Sequence, residues 1–161
     1  MMKMQPGRSA PGALLLVGML AACGAPAPPE GHAAATMEEA VARAGDVTIR
    51  ASVVPTTSLN PAVAGQYGIE PDRHSVLLLV GVRRGPDMQQ ASLPARVTAT
   101  AIDLRGVRTA IAMREIRSGD FIDYAGTVRA TPPETLRFNL EVEHAAGVPS
   151  SLSFSRDLYP H

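Results

Sequence analysis

Three carboxylates lie within nine residues of this chain, at Glu115, Asp120 and Asp123. Acids at such spacing can act as paired carboxylates in glycoside cleavage or as oxygen ligands of a cation. However, Arg114 and Arg117 flank Glu115 as ion partners, and Asp120 ends a Ser-Gly-Asp turn in which its side chain can bond to the backbone. The pattern therefore favours a structural network. A weak ligand site is the alternative, and catalysis is the least favoured interpretation.

The sequence lacks the other common catalytic and metal-binding patterns. It contains four histidines, and no two of them have metal-ligand spacing such as i and i+4. There is no Gly-x-Ser-x-Gly motif for a serine hydrolase, and there is no glycine-rich phosphate loop. We therefore expect no metal, no cofactor and no enzymatic activity. The histidines are His32, His74, His144 and His161.

The charge balance excludes one class of partner. Lys and Arg together number 15, as do Asp and Glu, so the formal net charge is zero. A nucleic-acid-binding protein normally carries a surplus of cations to neutralise phosphates. We therefore expect no nucleic-acid partner.

The only cysteine, Cys23, has the strongest functional context in the sequence. Lys3 and Arg8 precede an apolar run over residues 13–22, which is typical of a secretory signal peptide and too short to span a bilayer. The run ends in Leu20-Ala21-Ala22-Cys23, which resembles the bacterial lipobox. This resemblance implies a lipoprotein signal peptide over residues 1–22 and acyl chains such as palmitate on Cys23. Ordinary signal cleavage is the alternative.

The residue after the cysteine bears on the destination of the protein. Gly24 occupies the position where an Asp is the usual retention mark for the inner membrane. The absence of Asp resembles an outer-membrane lipoprotein that faces the periplasm. We therefore expect the membrane to be one partner, through the lipid anchor.

Residues 23–45 are predicted to connect the anchor to the folded domain. Residues 24–35 are rich in Pro and Ala and should form a semi-extended tether. Thr36 and Glu39 have capping-box spacing, and Gly45 follows residues 37–44 as a helix stop. A short helix is therefore expected over residues 37–44.

From residue 46 onward the apolar residues recur every second position, which is typical of half-buried strands. Strands are predicted over residues 47–53, 75–82, 95–104, 107–116, 121–129, 136–143 and 152–158. The unbroken apolar run in the second of these predicts a central strand covered on both faces. Seven strands at this spacing predict an all-β domain over residues 46–161, an immunoglobulin-like antiparallel two-sheet sandwich, with a small barrel as the alternative. The expected core residues are Leu78, Val80, Val97, Ile111, Phe138, Leu140 and Phe154.

One predicted loop, over residues 56–74, is too long for a compact domain unless it contains structure of its own. Asn60 and Pro61 can begin a short helix there, as N-cap and first helical residue. The same loop carries Tyr67, Arg73 and His74, and binding residues concentrate on loops that a rigid scaffold positions.

Residues 46–160 contain several short motifs in a fixed order: Leu59-Asn60-Pro61-Ala62-Val63-Ala64, Tyr67-Gly68-Ile69, Arg73, Arg114-Glu115-Ile116, Gly119-Asp120, Tyr124, Leu136-Arg137-Phe138 and Tyr159-Pro160. In their order and spacing these motifs resemble the bacterial domain of unknown function 4426. The resemblance implies a small exported envelope protein with an immunoglobulin-like sandwich and no assigned activity. Five residues of the matched motifs form a candidate binding cluster: Tyr67, Arg73, Arg114, Glu115 and Asp120.

Two functions are consistent with these features. The favoured one is a non-catalytic, lipid-anchored module that binds an envelope protein through its loops or a sheet edge. The alternative is a small ligand-binding protein or enzyme that acts on cell-wall saccharide or peptide through the Arg and acid cluster.

Overall fold

A computed structural model of the chain describes residues 38–144 and 149–160. These residues form two antiparallel sheets in a sandwich, which confirms the predicted fold class. The first sheet has the strand order β1-β2-β3-β8-β7, with β4 paired to β3, and the second has the order β10-β9-β5-β6. The strands are β1 (Ala40–Ala44), β2 (Val47–Pro55), β3 (Ser75–Arg84), β4 (Ala91–Ser92), β5 (Ala95–Ile102), β6 (Arg108–Ile111), β7 (Arg114–Ser118), β8 (Phe121–Arg129), β9 (Glu134–His144) and β10 (Ser150–Leu158).

Alternation of apolar and polar residues builds the core between the sheets. On β9, Leu136, Phe138, Leu140 and Val142 are buried, and their neighbours along the strand face outward. Six of the seven predicted core residues are buried, and the seventh, Phe154, is half-buried and stacks on Phe138 with 5.4 Å between ring centroids. The immunoglobulin-like topology remains a prediction.

Strand β3 lies in the middle of its sheet and is buried on both faces, as predicted. Leu78 and Val80 belong to the core between the sheets. Leu77 is equally inaccessible to solvent, and its side chain points to the outer face of the sheet.

The helix predicted over residues 37–44 is wrong in the described part, because Ala40–Ala44 is strand β1. This strand pairs antiparallel with β2, and Ala42 packs against the core. Two helical turns are marginal without docking, whereas β2 offers a complete hydrogen-bond ladder. Gly45 ends the element as expected, but as the turn of a hairpin with φ +61°. Thr36 and Met37 lie outside the described residues.

The single strand predicted over residues 107–116 is two strands. Strand β6 belongs to the second sheet and β7 to the first, and the chain crosses between them at Ala112 and Met113. With β1 and β4, this division raises the strand number from the predicted seven to ten among the described residues.

The helix predicted in the long loop is confirmed as α1 (Pro61–Gln66). Asn60 caps it, since its Oδ1 accepts a hydrogen bond of 2.8 Å from the Ala62 amide, and Pro61 occupies the first helical position. A short 3-10 turn, Thr56–Ser58, precedes it. Within the residues that the structure describes, no helix is long and apolar enough to cross a membrane.

Candidate functional site

The long loop of residues 56–74 is fixed at both ends by one buried hydroxyl. Thr56 is fully buried, and its Oγ1 accepts a hydrogen bond of 2.9 Å from the Asp72 amide. The same hydroxyl lies 2.9 Å from the Asp72 carbonyl and 3.1 Å from the Ser75 carbonyl, to which it donates. These hydrogen bonds hold the two ends of the loop together and give the loop a defined conformation.

Two of the five predicted cluster residues, Tyr67 and Arg114, are linked in the described structure only through Gly68 of the long loop. Gly68 directly follows Tyr67 and has φ +54°. A Cβ on Gly68 would lie 3.4 Å from one guanidinium nitrogen of Arg114, so the Arg114 side chain lies against this glycine. Arg114 is therefore beside the residue that follows Tyr67 in the chain.

Glu115 does not join them. It is the next residue to Arg114 on β7, and adjacent residues of a strand point to opposite faces. Its Oε1 accepts a hydrogen bond of 2.5 Å from Nε of Arg117. It also lies near Tyr124, whose pKa is raised mainly by burial and further by the charge of Glu115. Glu115 is thus part of a local ion pair on the other side of the strand.

The remaining two members of the predicted cluster are also separated. Asp120 is exposed in the turn that joins β7 to β8, beside Gly119 with φ +58°. Arg73 is exposed on the long loop and lines a groove that includes neither Tyr67 nor Arg114. The structure therefore does not gather the five residues into one site.

Asp123, the third carboxylate of the sequence pattern, belongs to a network that the sequence did not reveal. Arg83 on β3 donates hydrogen bonds to Asp123 at 2.5 Å and to the Ile122 carbonyl at 2.7 Å. Gly81 lies against this pair: a Cβ there would be 3.4 Å from both the Arg83 guanidinium and a carboxylate oxygen of Asp123. Burial raises the pKa of Tyr67, and the charge of Asp123 raises it further. Only the pairing of β3 with β8 brings Arg83 to Asp123, so no local sequence signal could have indicated it.

Two open grooves flank the segment of residues 68–75. The proline groove has a volume of about 620 Å³ and is lined by Pro55, Thr57, Ser58, Arg73, His74, Ser75, Val76, Pro132, Leu158, Tyr159 and Pro160. The arginine groove has a volume of about 640 Å³ and is lined by Gly68, Ile69, Glu70, Pro71, Asp72, Ser75, Ala112, Arg114, Ala125, Gly126, Thr127 and Arg129. Both volumes fall in the range of pockets that hold small ligands or short peptide segments.

The two grooves differ in charge. Among the described residues, the ionisable groups that line the proline groove are Arg73, His74 and the phenol of Tyr159, and none of them is a carboxylate. The arginine groove combines two arginines with Glu70 and Asp72. Among the ion pairs of residues 38–144 and 149–160, none includes Arg73, Arg114 or Arg129. Three guanidinium groups beside the grooves thus have no acidic partner in the described structure.

The described residues contain no group of three or more His, Cys, Asp and Glu side chains close enough to hold a metal ion. Two of the three carboxylates in the sequence pattern form ion pairs: Glu115 with Arg117, and Asp123 with Arg83. The grooves present guanidinium groups, hydroxyls and apolar walls, and the arginine groove adds the carboxylates of Glu70 and Asp72.

Comparisons with known proteins agree with this architecture. A structure of a DUF4426 family protein from Pseudomonas aeruginosa PAO1 is similar, with a TM-score of 0.66, 24% identity, and coverage of 76% of this chain and 96% of that one. FetP from uropathogenic Escherichia coli strain F11, recombinantly expressed in the periplasm of E. coli, has a TM-score of 0.56 at 10% identity and covers 77% of this chain and 97% of its own. A copper-bound variant of FetP has a TM-score of 0.55 at 11% identity, with coverage of 76% and 97%.

A search among curated proteins finds no match. The family model of DUF4426, described as a domain of unknown function, matches residues 41–161. This match begins within β1, in agreement with the place of that strand in the sandwich. It spans more than half of the chain and confirms the resemblance seen in the motifs. This chain belongs to the DUF4426 family.

Proposed function

We propose that this chain is a lipid-anchored protein of the bacterial envelope whose sandwich domain binds an envelope partner without catalysing a reaction. The observation that carries the proposal is the pair of grooves beside residues 68–75. Arg73, Arg114 and Arg129 are exposed there and have no acidic partner in the described ion pairs. Exposed, unpaired guanidinium groups beside a preformed concave surface favour recognition of a partner.

The two grooves beside the long loop form a better binding surface than the sheet edges. Strands β1 and β10, at one side of the sandwich, contact each other across the two sheets. At the other side, β7 carries Arg114, Glu115 and Arg117 along five residues. Short, charged edge strands are a common protection against unwanted strand pairing. The partner is therefore expected at the grooves rather than along a sheet edge.

The envelope location is supported by the sequence and by similarity. Residues 1–22 have the pattern of a lipoprotein signal peptide, and Cys23 is the expected acylation site, although both lie outside the described residues. FetP, a protein of similar fold, was produced in the periplasm. Two or three acyl chains hold a protein at a membrane essentially permanently, at about 0.8 kcal/mol per buried methylene. Gly24 favours the outer membrane, with the domain facing the periplasm.

Replacement of the cysteine tests the anchor. The Cys23→Ser variant should move from the membrane fraction to the soluble fraction of the periplasm, and it should lose incorporation of labelled palmitate. Retention in the membrane with unchanged labelling would disprove the lipid attachment.

Site-specific photo-crosslinking in intact cells tests the binding function. A crosslinking amino acid is placed at Thr57, in the proline groove, and at Thr98, an exposed control position on the second sheet. The Thr57 probe should give one defined adduct with an envelope protein that the Thr98 probe does not give. The same adduct should form when the probe is placed on the partner. Identical adducts from both positions, or none from Thr57, would contradict the proposal.

The groove volumes also favour a second candidate, a ligand-binding protein or enzyme acting on cell-wall saccharide or peptide. Each groove is large enough for such a ligand. Purified cell-wall fragments separate the candidates, since an enzyme converts them, a ligand-binding protein retains them unchanged, and an interaction module does neither.

A further inference from the structure

We propose that the proline groove binds the free C-terminal carboxylate of an extended peptide segment of the partner. This inference rests on the proposed binding function and names the chemistry that the groove selects. The groove is lined by the 3-10 turn at Thr57, by Arg73 and His74, and by the chain end at Tyr159.

The charges of the groove select an anion. Arg73 and His74 are exposed at its wall, and no carboxylate is among the lining residues that the structure describes. The nearest acid in sequence, Asp72, lines the arginine groove instead, and its Oδ1 accepts a hydrogen bond of 2.8 Å from the His74 amide. A guanidinium group binds a carboxylate through two parallel hydrogen bonds, which gives both strength and orientation.

The backbone on both sides of Arg73 is tied to the sandwich. On one side, the Asp72 amide and carbonyl are bound by the Thr56 hydroxyl. On the other side, the His74 carbonyl accepts a hydrogen bond of 3.0 Å from the Ala130 amide. Because the residues before and after Arg73 are both tied to the sandwich, little backbone order has to be gained on binding.

The other walls of the groove favour a peptide over a simple inorganic anion. Pro55 and Pro132 are half-buried and Tyr159 is exposed, so these residues give the groove accessible apolar walls that suit an apolar side chain next to the carboxylate. Thr57 and Ser58 are exposed and can exchange hydrogen bonds with the amides of an extended peptide. Phosphate has no apolar part, and an acyl chain has no amides, so each matches only half of this surface.

The arginine groove does not offer the same selection. Arg114 and Arg129 share it with Glu70 and Asp72, so the two signs of charge offset each other there. A carboxylate would meet repulsion as well as attraction in that groove. The preference for an anion is therefore specific to the proline groove.

Peptide binding to the full protein, purified from cell envelopes in detergent, tests the inference. The probe is a library of random hexapeptides with free C-terminal carboxylates, alongside the same library with C-terminal amides. Selection should enrich carboxylate peptides that end in an apolar residue. For the enriched peptides, amidation should raise the dissociation constant at least about tenfold in fluorescence anisotropy.

Two arginine variants locate the site. The Arg73→Gln variant should lose affinity at least about tenfold, and Arg73→Lys should lose less, because it keeps the charge without the guanidinium fork. Arg96→Gln is the matched control: Arg96 is exposed on β5 and lies in none of the described ion pairs, and this change should leave affinity unaltered.

Three outcomes would overturn the inference: equal selection of amidated peptides, equal loss of affinity in the Arg73 and Arg96 variants, or binding to phosphatidylglycerol vesicles without binding to any peptide. The binding function itself is judged separately by the adduct formed at Thr57 in cells. If that adduct persists unchanged in the Arg73→Gln variant, the carboxylate inference is wrong and the binding function stands.

Discussion

The guanidinium of Arg156 lies 4.7 Å from the centroid of the Phe154 ring, on the same face of strand β10. It also donates a hydrogen bond of 2.6 Å to the carbonyl of Glu38, just before β1. Only 12% of the Arg156 side chain is exposed. The arginine thus joins the edge of one sheet to the segment that enters the other, and it closes the side of the sandwich where β1 and β10 meet.

We expect the Arg156→Ala variant to lose about 2 kcal/mol of unfolding free energy, measured by urea denaturation. The change removes a cation–π contact, a charged hydrogen bond and the packing of the aliphatic stem. By contrast, Glu38→Gln should cost less than about 0.5 kcal/mol, because the Glu38 side chain is 80% exposed and its carboxylate lies 3.6 Å from the guanidinium. Equal losses in the two variants would show that the ion pair, rather than the stacked arginine, closes this side.

The crossover between the sheets depends on Gly126 of β8. A Cβ at this position would lie 2.7 Å from both Cγ2 of Ile111 and Sδ of Met113, and 2.9 Å from the Ala112 carbonyl oxygen. We therefore expect Gly126→Ala to lower the unfolding free energy by about 1 to 3 kcal/mol. Gly65, exposed in α1 with no atom within 4 Å of a Cβ, provides the control. There, Gly65→Ala should be neutral or stabilise by up to about 1 kcal/mol in the same denaturation experiment.

Strand β9 could be predicted because Leu136, Phe138 and Leu140 alternate with polar residues along it. Such alternation is the direct mark of a strand with one buried face. Strand β1 was mistaken for a helix because the capping pattern and the alanines are local features, whereas its pairing with β2 is not. The division of residues 107–116 into β6 and β7 could not be predicted from local sequence either. It depends on the close approach of the crossover to Gly126, which is more than ten residues away along the chain.

The candidate site was predictable only in part. The long loop and its helix followed from its length and from the Asn-Pro pair. Arg114 and Glu115 are adjacent residues of a strand, so their side chains must point to opposite faces of the sheet. The sequence alone was therefore enough to show that these two residues do not share one site. The meeting of Arg73 with Tyr159 in one groove could not be predicted, since it depends on where β10 ends beside the loop.

The protein should lose stability at alkaline pH through Tyr67. Burial, and then the charge of Asp123, raise the pKa of Tyr67 in the folded protein. The unfolded chain therefore releases this proton first, at the ordinary tyrosine pKa of about 10. The stabilisation is fully present below that pH and is lost as the pH rises through the folded pKa.

Replacement of the tyrosine tests this coupling. In the Tyr67→Phe variant, the unfolding free energy should fall less steeply with pH above about 10 than in the wild type. The chain has three tyrosines and no tryptophan, so the difference in tyrosinate absorbance between the two proteins reports Tyr67 directly. In Asp123→Asn, the pKa of Tyr67 should move toward its ordinary value but stay above it, because burial remains. An identical alkaline slope in wild type and Tyr67→Phe would contradict the prediction.

The buried hydroxyl of Thr56 should control both the stability and the order of the long loop. Thr56→Val keeps the shape of the side chain but leaves the Asp72 amide without its hydrogen-bond partner. We expect this change to lower the unfolding free energy by about 1 to 3 kcal/mol. Because this hydroxyl joins the two ends of the loop, the Asp72 amide should also exchange with deuterium faster than in the wild type. Thr57→Val, at the exposed neighbouring position, should change the unfolding free energy by no more than about 0.5 kcal/mol. It should leave the exchange rate of the Asp72 amide unaltered. Unchanged exchange at Asp72 in the Thr56→Val variant would mean that other contacts hold the loop, and the Arg73 side of the proline groove would then not depend on this hydroxyl.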